Sequence, residues 1–148
     1  MNELKLEFQL ETTEIPAELD KTIVSFLKAT IENYSPALFE KLYNKNSSIL
    51  KKYTWATYLP GARFTQEKIL LNQKRFTMTF SDADIGELIE FYNAFILMKY
   101  KPYSMNQNSM RLMAVKIRNI PEIQDTELII KMRSALIVRK HDSINNSD

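Results

Sequence analysis

The chain has 148 residues, 45% hydrophobic and 26% charged, with no cysteine and a single histidine. That length lies near the commonest domain size and buries most of its apolar surface without staples, so one compact unit is expected. The lack of cysteine excludes disulfides, thiolate metal sites and cysteine nucleophiles. The longest apolar run, Ala94 to Met98, is far short of the ~20 residues that cross a bilayer. The alternating amino terminus has neither the basic start nor the apolar stretch of a secretory signal, so the expectation is a cytoplasmic protein with no membrane partner. The net charge of +2 conceals an asymmetry: residues 1–50 carry five basic and eight acidic side chains, residues 51–148 fifteen and ten. Seven cations and three anions lie between Arg111 and Lys140, an electrostatic lean toward phosphate. Lys116, Arg118, Lys131, Arg133 and Arg139 are the candidate contacts, with a solvated face as the alternative.

Leu4, Leu6, Phe8 and Leu10 alternate with polar residues and predict a strand with one buried face. Leu19, Ile23, Leu27 and Ile31 recur at helical spacing. Ser35-Pro36 ends that helix and starts a shorter one, with Ser35 as cap and Pro36 at its first position, running to about Tyr43. After a polar stretch, Tyr53 to Tyr58 (YTWATY) has strand composition and stops at the Pro60-Gly61 turn, beyond which a second extended segment is expected. Phe76, Met78 and Phe80 predict another strand. Ser81, with Asp84 three residues on, reads as a capping-box variant opening a helix whose buried stripe is Ile85, Leu88, Ile89, Tyr92, Phe95 and Ile96. Residues 101–109 read as a polar loop. Met113, Val115 and Ile117 form one face of a strand, and Leu128, Ile130 and Met132 that of a partner in a hairpin setting Arg118 beside Glu127. Strand, helix, strand, strand, helix, strand, plus an extra carboxy-terminal hairpin strand, is the ferredoxin-like α+β arrangement.

The chain resembles the CRISPR-associated endoribonucleases that cut precursor CRISPR RNA within its repeats, the Cas "six" family of the RAMP superfamily. The residues that carry the likeness are the first strand, Ile15-Pro16 before the first helix, Lys52-Tyr53-Thr54-Trp55, Phe76 to Ser81, and Ser134 to Lys140 (SALIVRK), where Ala135 replaces the family's usual proline. The resemblance implies a ferredoxin-like RAMP domain over residues 1–133, with 134–148 as the first strand of a second such domain and a polar tail. It also implies CRISPR repeat RNA as partner, a role in antiviral defence, no cofactor, and other CRISPR effector subunits or a second copy of the chain as further partners.

Alignment from Pro16 without a gap puts Tyr43 where the family has a catalytic histidine and Lys28 where it has a tyrosine. Lys51 or Lys52 falls where the family has a lysine. The implied reaction is metal-independent attack of a ribose 2′-hydroxyl on the adjacent phosphate. Tyrosine is a poor base for it, with only roughly a thousandth ionised at neutral pH, whereas the lysines can neutralise the developing phosphorane. The rival expectations are a tyrosine closing a short helix and lysines on a solvated face, which makes the chain an RNA-binding module without fast cleavage. Asp82 and Asp84 begin a helix, where capping and the helix dipole explain acids, so no metal site is expected. His141, in the polar tail, is not expected to act.

Overall fold

In the computed structural model of the chain, residues 2–44 and 51–119 are described. Strand β1 (Asn2–Leu10) follows its sequence alternation, burying Leu4, Leu6, Phe8 and Leu10 and turning Glu3, Lys5, Glu7 and Gln9 to the other face. After the short β2 (Glu14–Pro16), helix α1 (Leu19–Tyr34) buries Leu19, Ile23, Phe26, Leu27 and Ile31. Ser35 serves two helices at once. Its N–H donates to the Ile31 carbonyl and closes α1, and its side chain accepts from the Leu38 N–H to open α2 (Pro36–Tyr43). Pro36 sits at the first helical position, where a backbone N–H would have no intrahelical acceptor and its absence costs nothing.

Strand β3 (Tyr53–Tyr58) turns Tyr53 and Trp55 toward the core and exposes Thr54, Ala56 and Tyr58. At the following turn Gly61 has φ +62, and a Cβ there would lie 2.3 Å from the Asn72 side chain, so glycine alone fits. Strands β4 (Arg63–Phe64) and β5 (Lys68–Leu70) join β2 in a small sheet of order β2-β5-β4. Strand β6 (Arg75–Asp82), helix α3 (Ile85–Met98), β7 (Pro102–Met105) and β8 (Asn108–Asn119) complete the order. The main sheet runs β3-β6-β1-β8-β7 and is antiparallel throughout. With α1 and α3 as crossovers, β1, β3, β6 and β8 make the expected ferredoxin-like sheet, and β7 is its fifth strand. The helices meet the sheet through rings: Phe8 against Phe26 at 5.5 Å, Phe80 against Phe91 at 4.6 Å and against Phe95 at 5.4 Å. Such pairs add to the burial of their large apolar area.

Three local expectations are corrected. Residues 101–109 are not a loop but β7, a two-residue turn and the start of β8, with Met105 opposite Asn108. Asn106 takes φ 52, a left-handed conformation that asparagine tolerates, so the tight turn forms without glycine. Helix α3 is capped by Asp84 rather than Ser81, which stays in β6 opposite Thr54. The strand continues to Asp82, and Asp84 is where the backbone is extended and its carboxylate accepts from the Glu87 N–H at 3.1 Å. Ile85 is therefore on the exposed first turn, and Phe91 belongs to the buried stripe. Third, Met113 is only half-buried. Glu7 faces Ala114 while Phe8 faces Leu112, so Met113 is the extra residue of a β-bulge and the buried face resumes at Leu112 and Met110. The hairpin with residues 128–132 and the segment 134–148, including His141, lie outside the described residues. No described helix is long and apolar enough to cross a membrane.

Candidate functional site

The end of α2 and the start of β3 lie side by side, which brings Tyr43 and Tyr53 together. Tyr53 stacks on Phe80 at 5.4 Å and meets Phe91 edge-on at 5.2 Å, while Tyr43 leans on Phe39 at 5.4 Å. With the rings so placed, the two hydroxyls are 2.9 Å apart. Two ammonium groups converge on the half-buried Tyr43 ring, Lys51 at 4.8 Å and Lys28 at 5.6 Å from its centroid. At such distances a cation is drawn to the negative face of the ring. Lys51 also donates to the Leu42 carbonyl in the last turn of α2. There the helix leaves carbonyls unpaired and its dipole favours a cation.

Three of the four expected catalytic positions are thus gathered. The fourth, Lys52, lies elsewhere. Its ammonium is 3.6 Å from Asp84 Oδ2 and its carbonyl accepts the Ala83 N–H, so it fastens β3 to the start of α3. Neighbouring residues in extended backbone point opposite ways, and here they serve opposite ends of the site.

Burial, above all, pushes the Tyr43 phenol well above the usual tyrosine range, and the hydrogen bond to Tyr53 and the negative potential from Tyr53 and Glu87 act in the same direction. Tyr53 is raised too, again chiefly by burial, with its bond to Tyr43 opposing. Tyr43 at neutral pH is therefore a hydrogen-bond donor and cation platform, not a base. Next to Tyr53 lies a carboxyl pair that sequence patterning did not single out. Glu87 is pushed up to about 8, first by burial and then by its hydrogen bond to Asp82 and the charges of Asp82 and Asp84. Asp82 Oδ2 and Glu87 Oε2 are both buried without a donor, and a proton retained on Glu87 supplies one. Asp82 Oδ1 accepts the Asp84 N–H at 2.7 Å.

The basic candidates on β8 lie on the sheet face away from the helices, in cross-strand ion pairs: Lys116 with Glu7 at 3.0 Å and Arg118 with Glu3 at 3.5 Å. Lys131, Arg133 and Arg139 lie outside the described residues. Among the described residues no group of three or more acidic or histidine side chains is arranged to hold a metal ion.

Comparison with solved structures places this architecture. The chain is similar to a structure described as a RAMP protein binding different RNA substrates, with a TM-score of 0.67 at 8% identity over 84% of this chain and 51% of the other. It is similar to a CRISPR-associated protein Cas6, with a TM-score of 0.60 at 18% identity over 82% of this chain and 50% of that one. A third likeness is to the product of a Cas6-related gene from Pyrococcus furiosus, with a TM-score of 0.62 at 7% identity over 98% of this chain and 71% of that one. No protein-family model and no curated protein matches the sequence. The chain has a Cas6-like RAMP fold, and it spans about half the length of the first two structures.

Proposed function

We propose that the chain is the amino-terminal domain of a CRISPR precursor-RNA processing endoribonuclease, with residues 134–148 opening a second ferredoxin-like domain. The observation that carries this reading is the meeting of Lys28 and Lys51 at the Tyr43 ring, beside a helix end, at the positions the resemblance assigns to cleavage. The likeness in fold to proteins described as Cas6 and as an RNA-binding RAMP protein supports it.

In this reaction the ribose 2′-oxygen attacks phosphorus and the 5′-oxygen leaves, giving a cyclic phosphate and a 5′-hydroxyl. Water takes the 2′ proton and returns one to the leaving oxygen. Lys28 and Lys51 stabilise the charge that builds on the non-bridging oxygens. Tyr43, held protonated by burial, donates a hydrogen bond to the phosphate and removes no proton. Lys52, tied to Asp84, positions the start of β3. With in-line positioning and charge stabilisation but no side-chain base, turnover is slow.

The raised Tyr43 phenol favours one second reading, a module that retains CRISPR RNA without cutting it. Incubating the protein with a CRISPR repeat RNA in the presence of a chelator separates the two. The nuclease gives slow cutting that a 2′-deoxy substitution at the cut abolishes. It also gives a rate lowered on the order of 10²-fold by Lys51→Ala and far less by Tyr43→Phe. Retention without cutting supports the binding module, and lack of affinity at low salt, where phosphate binding is strongest, removes both.

A further inference from the structure

The sheet has a second face, opposite α1 and α3, whose chemistry the Tyr43 site does not use. We propose that this face binds single-stranded RNA, stacking a base on Tyr58 and holding phosphates with Arg75, Arg111, Lys74 and Lys5. The proposal rests on the RNA-binding half of the reading above and is independent of cleavage.

Four observations carry it. Tyr58, the last residue of β3, is 67% exposed, although a tyrosine ring of that size is normally covered at least in part. The pairing register sets it opposite Thr77 and thus diagonal to Arg75, a separation that aromatic and long side chains bridge. One rung along, Gln9 of β1 lies between Arg75 of β6 and Arg111 of β8, so two arginines occupy one rung across three adjacent strands. A hollow of about 340 Å³ opens beside this rung; Lys5, Lys74 and Arg75 line it together with Glu7, whose charge Lys116 already takes, and with Phe8 and Phe76. The bulge at Met113 adds a thioether to the apolar part of the wall.

The charge count of the face points to an anion. Glu3 and Glu7 are taken by Arg118 and Lys116, and Glu11, just past the end of β1, accepts from the Ser109 hydroxyl, which leaves, among the described residues, one carboxylate without an ion pair against four such cations. Among the described residues Lys5, Lys74, Arg75 and Arg111 have no ion pair, and Arg75 donates only to the Gln73 amide oxygen. Lys5 also stands directly opposite Lys116; Glu7 answers the charge of Lys116 and leaves Lys5 without an acidic partner among the described residues. An exposed ring within reach of cations is how proteins hold single strands: the ring takes the face of any base and the cations follow the backbone. Duplex RNA hides those base faces and does not fit.

Fluorescence anisotropy with a labelled oligouridylate tests the assignment. Tyr58→Ala is expected to weaken binding by about tenfold or more, whereas Tyr58→Phe, which keeps the ring, stays within about twofold of the unmodified chain. Arg75→Gln and Arg111→Gln each lower the slope of log affinity against log salt by about 0.7. The proposal is overturned if Tyr58→Ala binds as the unmodified chain does with an unchanged circular dichroism spectrum, or if a duplex of the same length binds as well as the single strand. Tyr58-dependent binding without repeat-RNA cleavage defeats the nuclease reading alone. Cleavage with no effect at Tyr58 defeats this proposal alone.

Discussion

Tyr43 and Tyr58 are the same phenol in two regions, each within reach of cations, and they differ in what covers them. Tyr43 closes α2 on the helix side of the sheet, half-buried, its hydroxyl on Tyr53 and its ring approached by two lysines. Tyr58 ends β3 on the uncovered side with its ring in solvent. Burial removes the first from the range in which a phenol ionises and leaves it a hydrogen bond to give. Exposure leaves the second with no hydrogen-bond or ring partner among the described residues and a face to stack. Residue type and neighbouring charge are shared, so packing decides which chemistry each performs.

That contrast is broken most forcefully from beneath. Phe80 is fully buried under Tyr53 and touches both Phe91 and Phe95, so Phe80→Ala is expected to cost about 3–5 kcal/mol in urea unfolding. A loss below about 1 kcal/mol would mean that Tyr53, and with it Tyr43, has no firm seat. A pH series comes next in size. Because Glu87 is held above its ordinary value of 4.5, toward about 8, the folded chain keeps that proton longer than the unfolded one. Its stabilisation is complete below pH about 4.5 and is lost as pH rises toward about 8. The melting temperature should fall from pH 5 to pH 8 and the fall should flatten in Glu87→Gln, which stays neutral; an identical slope in both proteins would dismiss the shared proton. Tyr53→Phe, which removes only the hydroxyl that meets Tyr43, should cost about 1 kcal/mol. Smallest is Tyr58→Ala, expected to change stability by no more than about 0.5 kcal/mol on an exposed edge; a larger loss would place that ring in the fold and not on a binding face.

Much of this was legible in the chain. Leu4 to Leu10 alternate without exception, the α1 stripe is regular, and Ser35-Pro36 names its own geometry, so those elements stand where patterning put them. Tyr43, Lys28 and Lys51 were reachable through the family resemblance, and the structure brings them together. What escaped depended on partners distant in sequence. Residues 101–109 are polar enough for a loop, yet Pro102–Met105 pair with β8 because Asn106 turns the chain back. Ser81 carries a capping side chain but is claimed by the ladder with β3. Lys52 reads like Lys51 until Asp84 arrives from the start of α3. Tyr58, last of six residues in an aromatic strand, carries no sign of its own that its side faces water.

Local chemistry by itself settled the order of strands and helices, the caps and the division of each element into an apolar and a polar side, because backbone sterics and side-chain periodicity act over a few residues. Only the tertiary structure decided which polar groups meet, the two hydroxyls and the Asp82–Glu87 carboxyls, and which strand positions stand side by side, such as Arg75 and Arg111 on either side of Gln9. Those meetings depend on strand register, which moves every side chain to the other face if it slips by one residue, and on burial, which no stretch of sequence possesses until the rest of the chain packs against it.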